Sequence, residues 1–135
     1  MEVLRLDHIG IAVESLDDAL PFWRDVLGLE LAGIEVVEEQ KVRVAFLPVG
    51  DTEVELLEST HEDGPISKFI ERNGGPGIQH LAFRVDDIEE GIAYMKEKGM
   101  LMIDENPRYG AGGASIAFVH PKSSGRVLIE LSERE

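Results

Sequence analysis

The sequence contains no cysteine among its 135 residues. This excludes disulfide bonds, thiolate metal sites and cysteine nucleophiles, so a bound metal ion must take its ligands from His, Asp or Glu. Cysteine-free composition suits a cytoplasmic protein. No apolar run approaches the roughly 20 residues that cross a bilayer. The first residues, Met1 to Leu6, already carry charges within a strand-like pattern, so we expect neither a membrane segment nor a signal peptide.

Basic residues are also scarce. Thirteen Lys and Arg stand against 27 Asp and Glu, which gives 13 − 27 = −14. Such a charge repels nucleic acid and anionic membranes at long range, so we expect neither as a partner. With 43% hydrophobic and 30% charged residues, the chain has the composition of one ordinary globular protein.

The two halves of the chain resemble each other. After a shift of 72 residues, Leu6 to Val13 aligns with Ile78 to Val85, and the histidines at positions 8 and 80 coincide. The apolar positions that follow also align, and Gly28 meets Gly99 after a slip of one residue. Internal similarity of this kind predicts two structurally equivalent modules.

Each half begins with a strand-like segment, the first at Val3 to Val13, and continues with a helical pattern that ends at a glycine. Ser15 and Asp18 mark the start of the first helix, and Asp86 and Glu89 the start of the second. The strands predicted after the two helices are Leu29 to Val37, Val42 to Pro48, Thr52 to Leu57, Leu101 to Ile103, Ala114 to Val119 and Arg126 to Leu131.

These elements predict an α+β fold. Two tandem βαβββ modules, residues 1–60 and 77–135, would form an eight-stranded cup around a metal site, with the helices outside. Residues 61–76 would contain a linking helix, Pro65 to Asn73, with proline in its first turn and glycine at its end. Because about 60 residues make a poor core alone, we expect the two modules to form one structural domain.

The repeat also carries chemistry. Each half has a histidine on its first strand and a glutamate on its last: His8 with Glu55, and His80 with Glu130. Taken singly, each of these residues could face solvent or be buried with a partner, because strand alternation alone does not decide between them. Their recurrence at equivalent positions favours one shared site. Two imidazoles and two carboxylates suit zinc, cobalt, nickel, manganese or iron and leave two octahedral positions open for a bidentate substrate.

The other polar motifs are weaker candidates for a functional site. His61 lies in an acidic, glycine-containing stretch and is expected in an exposed loop. His120, before a proline, could contact a ligand or merely end a strand. The segment from Gly110 to Gly113 lacks the lysine of a phosphate-binding loop and is followed by a strand, so we interpret it as a turn or a substrate loop.

Tandem βαβββ modules with His and Glu on their outer strands resemble the vicinal oxygen chelate superfamily, the glyoxalase-like fold. Within it, three segments look like the methylmalonyl-CoA epimerases: Asp7 to Val13, Gly77 to Asp87, and His120 to Leu131, which reads HPKSSGRVLIEL. The resemblance covers nearly the whole chain, and the last segment is the most discriminating of the three.

The resemblance implies roles for particular residues. It makes His8, His80 and Glu130 metal ligands, and it places Glu55 where the family has glutamine or glutamate as a fourth ligand. It also implies one divalent metal ion per chain, epimerisation of (R)- and (S)-methylmalonyl-CoA, and a homodimer. In the family the metal chelates the thioester carbonyl and the free carboxylate of the substrate, and Glu130 would serve as one catalytic base.

The second base is a point where the chain departs from one family pattern. Some members have a glutamate on the second strand of the module, and an ungapped alignment puts Arg43 there. We therefore take Glu55 as the candidate base for the opposite face of the substrate. The negative charges of coenzyme A would require basic residues, for which Lys122, Arg126, Arg108 and Lys68 are candidates, with His120 beside them.

Three other functions remain open at this point. Glyoxalase I, the lactoylglutathione lyase, would use the same four residues on a hemithioacetal. A non-catalytic binding module of the same fold commonly lacks the four ligands, and an extradiol dioxygenase uses three ligands and redox-active iron. The sequence does not distinguish among the divalent metals that accept this ligand set.

Overall fold

The structure is a computed structural model that describes all residues, Met1–Glu135. Its strands are β1 (Val3–Ala12), β2 (Gly33–Val37), β3 (Val42–Val49), β4 (Thr52–Ser59), β5 (Gly77–Val85), β6 (Arg108–Tyr109), β7 (Ser115–Val119) and β8 (Ile129–Glu133). Its helices are α1 (Leu16–Leu20, continued by a π-helical segment, Pro21–Val26), α2 (Pro65–Asn73) and α3 (Ile88–Glu97). The α+β class and the βαβββ order of both halves are confirmed. None of the helices has the length and apolarity to cross a bilayer.

The chain divides into two compact units. The first comprises Ile9–Gln79, and we call it the N-terminal unit. Its strands lie in the order β2-β3-β4-β1, with β1 parallel to β4 and the other neighbours antiparallel. The second combines Met1–His8 with His80–Glu135, and we call it the C-terminal unit. Its strands β5-β8-β7-β6 repeat that pattern, with β5 parallel to β8.

Each unit buries its helix against one face of its own strands. In the N-terminal unit, Leu16 and Leu20 of α1 pack with Ala45, Leu47 and Leu56 of β3 and β4. In the C-terminal unit, α3 and the strands form an equivalent cluster that contains Val85, Ile88, Ile92, Val119 and Leu131. Since strand side chains alternate between faces, residues next to these core positions lie on the opposite face, away from the helices.

The predicted start and end of α1 are confirmed. The Ser15 hydroxyl accepts a hydrogen bond from the Asp18 amide at 3.3 Å, and Gly28 follows the helix with φ +84°. The helix widens after Pro21, where Leu27 N–H donates to the Phe22 carbonyl five residues earlier.

The predicted start of α3 is wrong by one residue. Asp87, not Asp86 with Glu89, caps the helix by accepting from the Glu90 amide at 3.0 Å. Asp86 instead accepts a hydrogen bond from the backbone amide of Glu2 at 2.7 Å. The linking helix begins and ends as predicted, with Pro65 in its first turn and Gly74 in the left-handed conformation after it.

Two strand predictions in the C-terminal unit are wrong. Leu101 to Ile103 forms only an isolated bridge, Met102 with Val119, and the sixth strand is Arg108–Tyr109. The apolar pattern of this segment indicates burial and not a strand, because Met102 belongs to the core. The last strand begins at Ile129 and not at Arg126, since Arg126 has φ +74° and closes a turn by donating to the Pro121 carbonyl at 2.8 Å.

Candidate metal-binding site

Three predicted ligands converge in the C-terminal unit. His8 on β1, His80 on β5 and Glu130 on β8 are all buried. The two Nε2 atoms are 3.0 Å apart, Glu130 Oε1 is 3.3 Å from His80 Nε2, and Glu130 Oε2 is 3.6 Å from His8 Nε2. Two imidazole nitrogens and a carboxylate directed at one point form a donor set that fits a divalent transition metal.

The register of β5 and β8 explains how His80 and Glu130 come to share a face. Ala82 lies opposite Glu130, and His80 precedes Ala82 by two residues, so the two polar side chains project from the same face. Across the antiparallel neighbour β7, Glu130 lies opposite Phe118. The Phe118 ring meets the His80 ring edge to face, with centroids 5.4 Å apart, and forms an apolar wall beside the ligands.

A buried carboxylate supports the first histidine. Asp7 Oδ2 lies 2.7 Å from His8 Nδ1, within hydrogen-bonding distance. Two guanidinium groups bind the same carboxylate: Arg84 donates to Oδ1 at 2.9 to 3.0 Å, and Arg134 donates to Oδ1 at 3.0 Å and to Oδ2 at 3.1 Å. Burial alone would raise the pKa of Asp7, but its hydrogen bonds with His8 and Arg134 hold that pKa well below its usual range. Asp7 is therefore a carboxylate at neutral pH.

The fourth predicted residue, Glu55, lies in the N-terminal unit and is also buried, at 2% exposure. Its surroundings repeat those of Glu130. Glu55 lies opposite Gly10 on its parallel neighbour and opposite Phe46 on its antiparallel neighbour. Glu130 has Ala82 and Phe118 in those positions, so each glutamate lies between a small residue and a phenylalanine. The structure thus excludes the solvent-facing alternative for Glu55 and for Glu130.

Arg43 does not occupy the position of a second base beside Glu55. It lies opposite Glu58 on β4, and its Nη1 is 3.7 Å from Glu58 Oε2. Since Phe46 is opposite Glu55, strand alternation puts Val44 on the face of Glu55 and Arg43 on the other face. On the face of Glu55, β3 has apolar side chains only.

The predicted substrate-binding residues lie in the turn between β7 and β8, which contains Lys122 and Arg126, both exposed. His120 begins this turn, and its Nδ1 accepts a hydrogen bond from the Lys122 amide at 3.0 Å. The turn follows Val119, whose partner Ile129 directly precedes Glu130. It therefore lies at the end of the sheet nearest to Glu130.

The remaining candidates have structural partners. Arg108 pairs with Asp104 at 2.9 Å and lies over the Phe118 ring, with 5.7 Å from its Cζ to the ring centroid. Lys68 is exposed on α2. His61 is exposed, as predicted, and its Nδ1 is 2.8 Å from the Thr60 hydroxyl.

Sequence reasoning missed several polar residues around the ligands. Asp7 was part of a recognised segment but had no assigned role, and Arg84 and Arg134 were not singled out. Ser132 was also missed; it is fully buried on the same face as Glu130, and its hydroxyl has no hydrogen-bond partner. The one available signal is Arg84, the only Lys, Arg, Asp or Glu residue within the strand Gly77–Val85.

Comparison with known proteins identifies the family. Residues 7–118 match the family described as the glyoxalase/bleomycin resistance protein/dioxygenase superfamily. The ethylmalonyl-CoA/methylmalonyl-CoA epimerase of Cereibacter sphaeroides is 35% identical over 130 residues, which cover 96% of this chain and 97% of that protein. An uncharacterised protein of Bacillus subtilis, YqjC, is 44% identical over 129 residues, covering 96% and 91% of the two chains.

A solved structure agrees with this relationship. A methylmalonyl-CoA epimerase in complex with methylmalonyl-CoA and NH4+ superposes with a TM-score of 0.92 at 38% identity, covering 98% of this chain and 95% of that one. The chain therefore belongs to the glyoxalase/bleomycin resistance protein/dioxygenase superfamily and, within it, to the methylmalonyl-CoA epimerases, which are isomerases.

Proposed function

We propose that this chain interconverts (R)- and (S)-methylmalonyl-CoA with the help of one divalent metal ion. The observation that carries the proposal is the convergence of His8, His80 and Glu130 in a buried site of the kind that holds a metal. The relatives named as epimerases, one of them solved with methylmalonyl-CoA, supply the substrate class.

Four residues would hold the ion: His8, His80, Glu130 and Glu55. For Glu55 the support is its burial and its register. Gly10, its partner on β1, follows His8 by two residues and so lies on the same face of that strand. Cobalt, zinc, nickel or manganese would suit this set of two nitrogens and two carboxylates. When bound, such an ion acts as a Lewis acid for the thioester carbonyl oxygen, where negative charge develops.

Glu130 would perform the first proton transfer. The hydrogen on the carbon between the thioester and the carboxylate is acidic, because the electron pair of the broken C–H bond moves into the thioester carbonyl and forms an enolate. A carboxylate buried at 4% exposure is shielded from water that would otherwise solvate it, and Phe118 and Ala82 border it with apolar surface. Glu130 can thus take the proton on one face of the substrate and return it.

Inversion requires a second proton donor on the other face, and Glu55 would supply it in its protonated form, released from the metal ion as the substrate binds. It is the counterpart of Glu130 in the repeat, and its β3 neighbours on the same face, Val44 and Phe46, are apolar. Protonation of the enolate carbon by Glu55 would produce the opposite enantiomer, and the carboxylate left behind would act as the base in the reverse direction.

Replacing Glu55 by Gln is therefore expected to separate exchange from inversion. In D2O, the variant should still exchange the α-proton of the enantiomer that Glu130 deprotonates, while inversion falls by about 10²-fold or more, since the amide cannot transfer this proton. Proton NMR of each enantiomer measures both rates. Glu53→Gln, on the same strand, is the matched control and should behave as the unmodified protein. Symmetric, undiminished exchange and inversion in Glu55→Gln would exclude Glu55 as a base.

The coenzyme A part of the substrate needs local positive charge on this acidic protein. Lys122 and Arg126 lie in the turn next to Glu130, and His120 begins that turn. They would bind the anionic groups of the substrate, with Arg108 and Lys68 as further candidates. Because the reacting end is fixed at the metal site, these contacts need only be weak.

The proposal is tested by turnover after metal removal. Chelation should abolish epimerisation of methylmalonyl-CoA, and adding back Co2+ should restore it together with one bound ion per chain by elemental analysis. The same loaded preparation should not isomerise the hemithioacetal of methylglyoxal and glutathione. Turnover of that hemithioacetal alone would identify a glyoxalase, and full affinity for methylmalonyl-CoA without metal or turnover would identify a binding module.

The proposal includes a cytoplasmic homodimer. Light scattering on the purified protein should give twice the mass of the chain, as the resemblance to the epimerases implies.

A further inference from the structure

We propose that Asp7 is a positioning residue that fixes the tautomer of His8, and that Arg84 and Arg134 hold Asp7 in place for this purpose. The inference rests on the proposed function, because it assumes that His8 binds a metal through Nε2. It concerns the residues behind the ligands, where a carboxylate and two arginines lie away from the reacting atoms.

The hydrogen bonds around Asp7 leave little choice of protonation for His8. Arg84 and Arg134 are donors only, so both Asp7 oxygens face donors already. The contact of 2.7 Å with His8 Nδ1 must then be a bond that Nδ1–H donates and Oδ2 accepts. In a neutral imidazole, a proton on Nδ1 leaves the lone pair on Nε2, the atom that faces His80 and Glu130.

The Asp7 carboxylate is buried and held by several contacts. The Asp7 side chain is 2% exposed, and the guanidinium groups of Arg84 and Arg134 contact it on both oxygens. Because two arginines stabilise its anionic form, this carboxylate orients the imidazole without taking its proton. A ring fixed in this way is already in the geometry and tautomer that a metal requires, so binding demands less reorganisation.

The repeat shows that this cluster of one carboxylate and two arginines occurs in only one half of the chain. Applying the 72-residue shift, the counterpart of Asp7 is Gln79 and that of Arg84 is Ala12. Applying the shift that relates the two glutamates, 130 − 55 = 75, the counterpart of Arg134 is Ser59. The ligands are duplicated, but the carboxylate with two arginines is not. The support that Asp7 gives to His8 therefore does not follow from the duplication.

The first test needs no substitution in the cluster. Two-bond 1H–15N spectra of the metal-free protein, labelled at histidine and recorded at about pH 8, where an ordinary histidine is neutral, report which ring nitrogen carries the proton. His8 should carry it on Nδ1, with the signal assigned by its loss in His8→Gln. A proton on Nε2 would overturn the inference.

The second test reverses the hydrogen bond. In Asp7→Asn the amide offers one acceptor oxygen to three donors, so its NH2 group must face either an arginine or His8. Facing His8, it donates to Nδ1 and forces the proton to Nε2. We expect the His8 signal to show this change and the affinity for Co2+, followed by calorimetry and by its visible absorption, to fall about 10- to 100-fold.

Controls separate positioning from general damage. Asp51→Asn, in an exposed turn, should bind Co2+ and keep the Nδ1 proton of His8 as the unmodified protein does. Arg134→Gln removes one of the two arginines that hold Asp7, and it should lower the Co2+ affinity by less than Asp7→Asn does. Unchanged Co2+ affinity in a folded Asp7→Asn variant would refute the inference. If the unmodified protein itself does not bind Co2+, the proposed function fails, and the tautomer spectra of the metal-free protein decide the role of Asp7 alone.

Discussion

Replacing Glu130 by Gln is expected to lower the epimerisation rate by about 10³-fold, within the range of about 10² to 10⁴ that a positioned general base contributes. Gln fits the same space between Ala82 and Phe118, so packing is preserved. The amide, however, accepts no proton from carbon, and it removes a negative charge from a site with two imidazoles. Proton exchange should be lost from the enantiomer that Glu130 deprotonates.

The decisive measurement combines turnover with deuterium incorporation at saturating Co2+. Glu97→Gln is the control, because Glu97 is exposed near the end of α3 and the substitution is the same. Glu130→Gln should retain the unfolding transition of the unmodified protein, so that lost turnover reports chemistry. Exchange at an unchanged rate from both enantiomers would remove Glu130 from the mechanism.

Much of the fold follows from patterns that the sequence displays. The shift of 72 residues that superposes His8 on His80 predicts two βαβββ halves, and the pairing registers are equivalent: Gly10 opposite Glu55 corresponds to Ala82 opposite Glu130, with the last strands aligned by a shift of 75. The convergence of His8, His80 and Glu130 agrees with this prediction. A duplicated backbone puts the same residue types in the same environments, and for that reason recurrence was more informative than any single histidine.

The errors occur where local signals are ambiguous. Leu101 to Ile103 has the apolar character of a strand, but tertiary packing of Met102 and not strand pairing accounts for it. Asp86 and Asp87 are both good helix caps by composition, and the competing bond from the Glu2 amide to Asp86 decides between them. Glu2 is distant in sequence, so no local rule could have found that bond.

The cluster behind His8 could not be predicted for a similar reason. Arg84 and Arg134 lie 77 and 127 positions after Asp7 in the chain, and none of the three residues repeats between the halves. Sequence repeats reveal duplicated features, and hydrophobic patterns reveal buried apolar residues. A cluster of charged residues around a buried carboxylate gives neither signal. Only the three-dimensional structure brings this one carboxylate into contact with a histidine and two arginines at once.

The strands that carry the site also carry the core, and Leu131→Ala should separate these two roles. Leu131 is 2% exposed and packs with Val85, Ile88 and Ile92 on the face of β8 opposite to Glu130. Removing this side chain should lower the free energy of unfolding by about 2 to 5 kcal/mol, a large share of the roughly 5 to 15 kcal/mol typical of a domain. Urea denaturation measures the change as a lower midpoint with a similar slope.

Leu131 faces the helix, whereas Glu130 faces the proposed metal site on the other side of the strand. The folded fraction of Leu131→Ala should therefore keep its turnover per bound Co2+ at low temperature. Val127→Ala is the matched control: Val127 is 45% exposed in the turn before β8, and its loss should change stability by no more than about 0.5 kcal/mol. A loss of turnover in fully folded Leu131→Ala would show that the packing of α3 on β8 also sets the position of Glu130. Unchanged stability would contradict the assignment of Leu131 to the core.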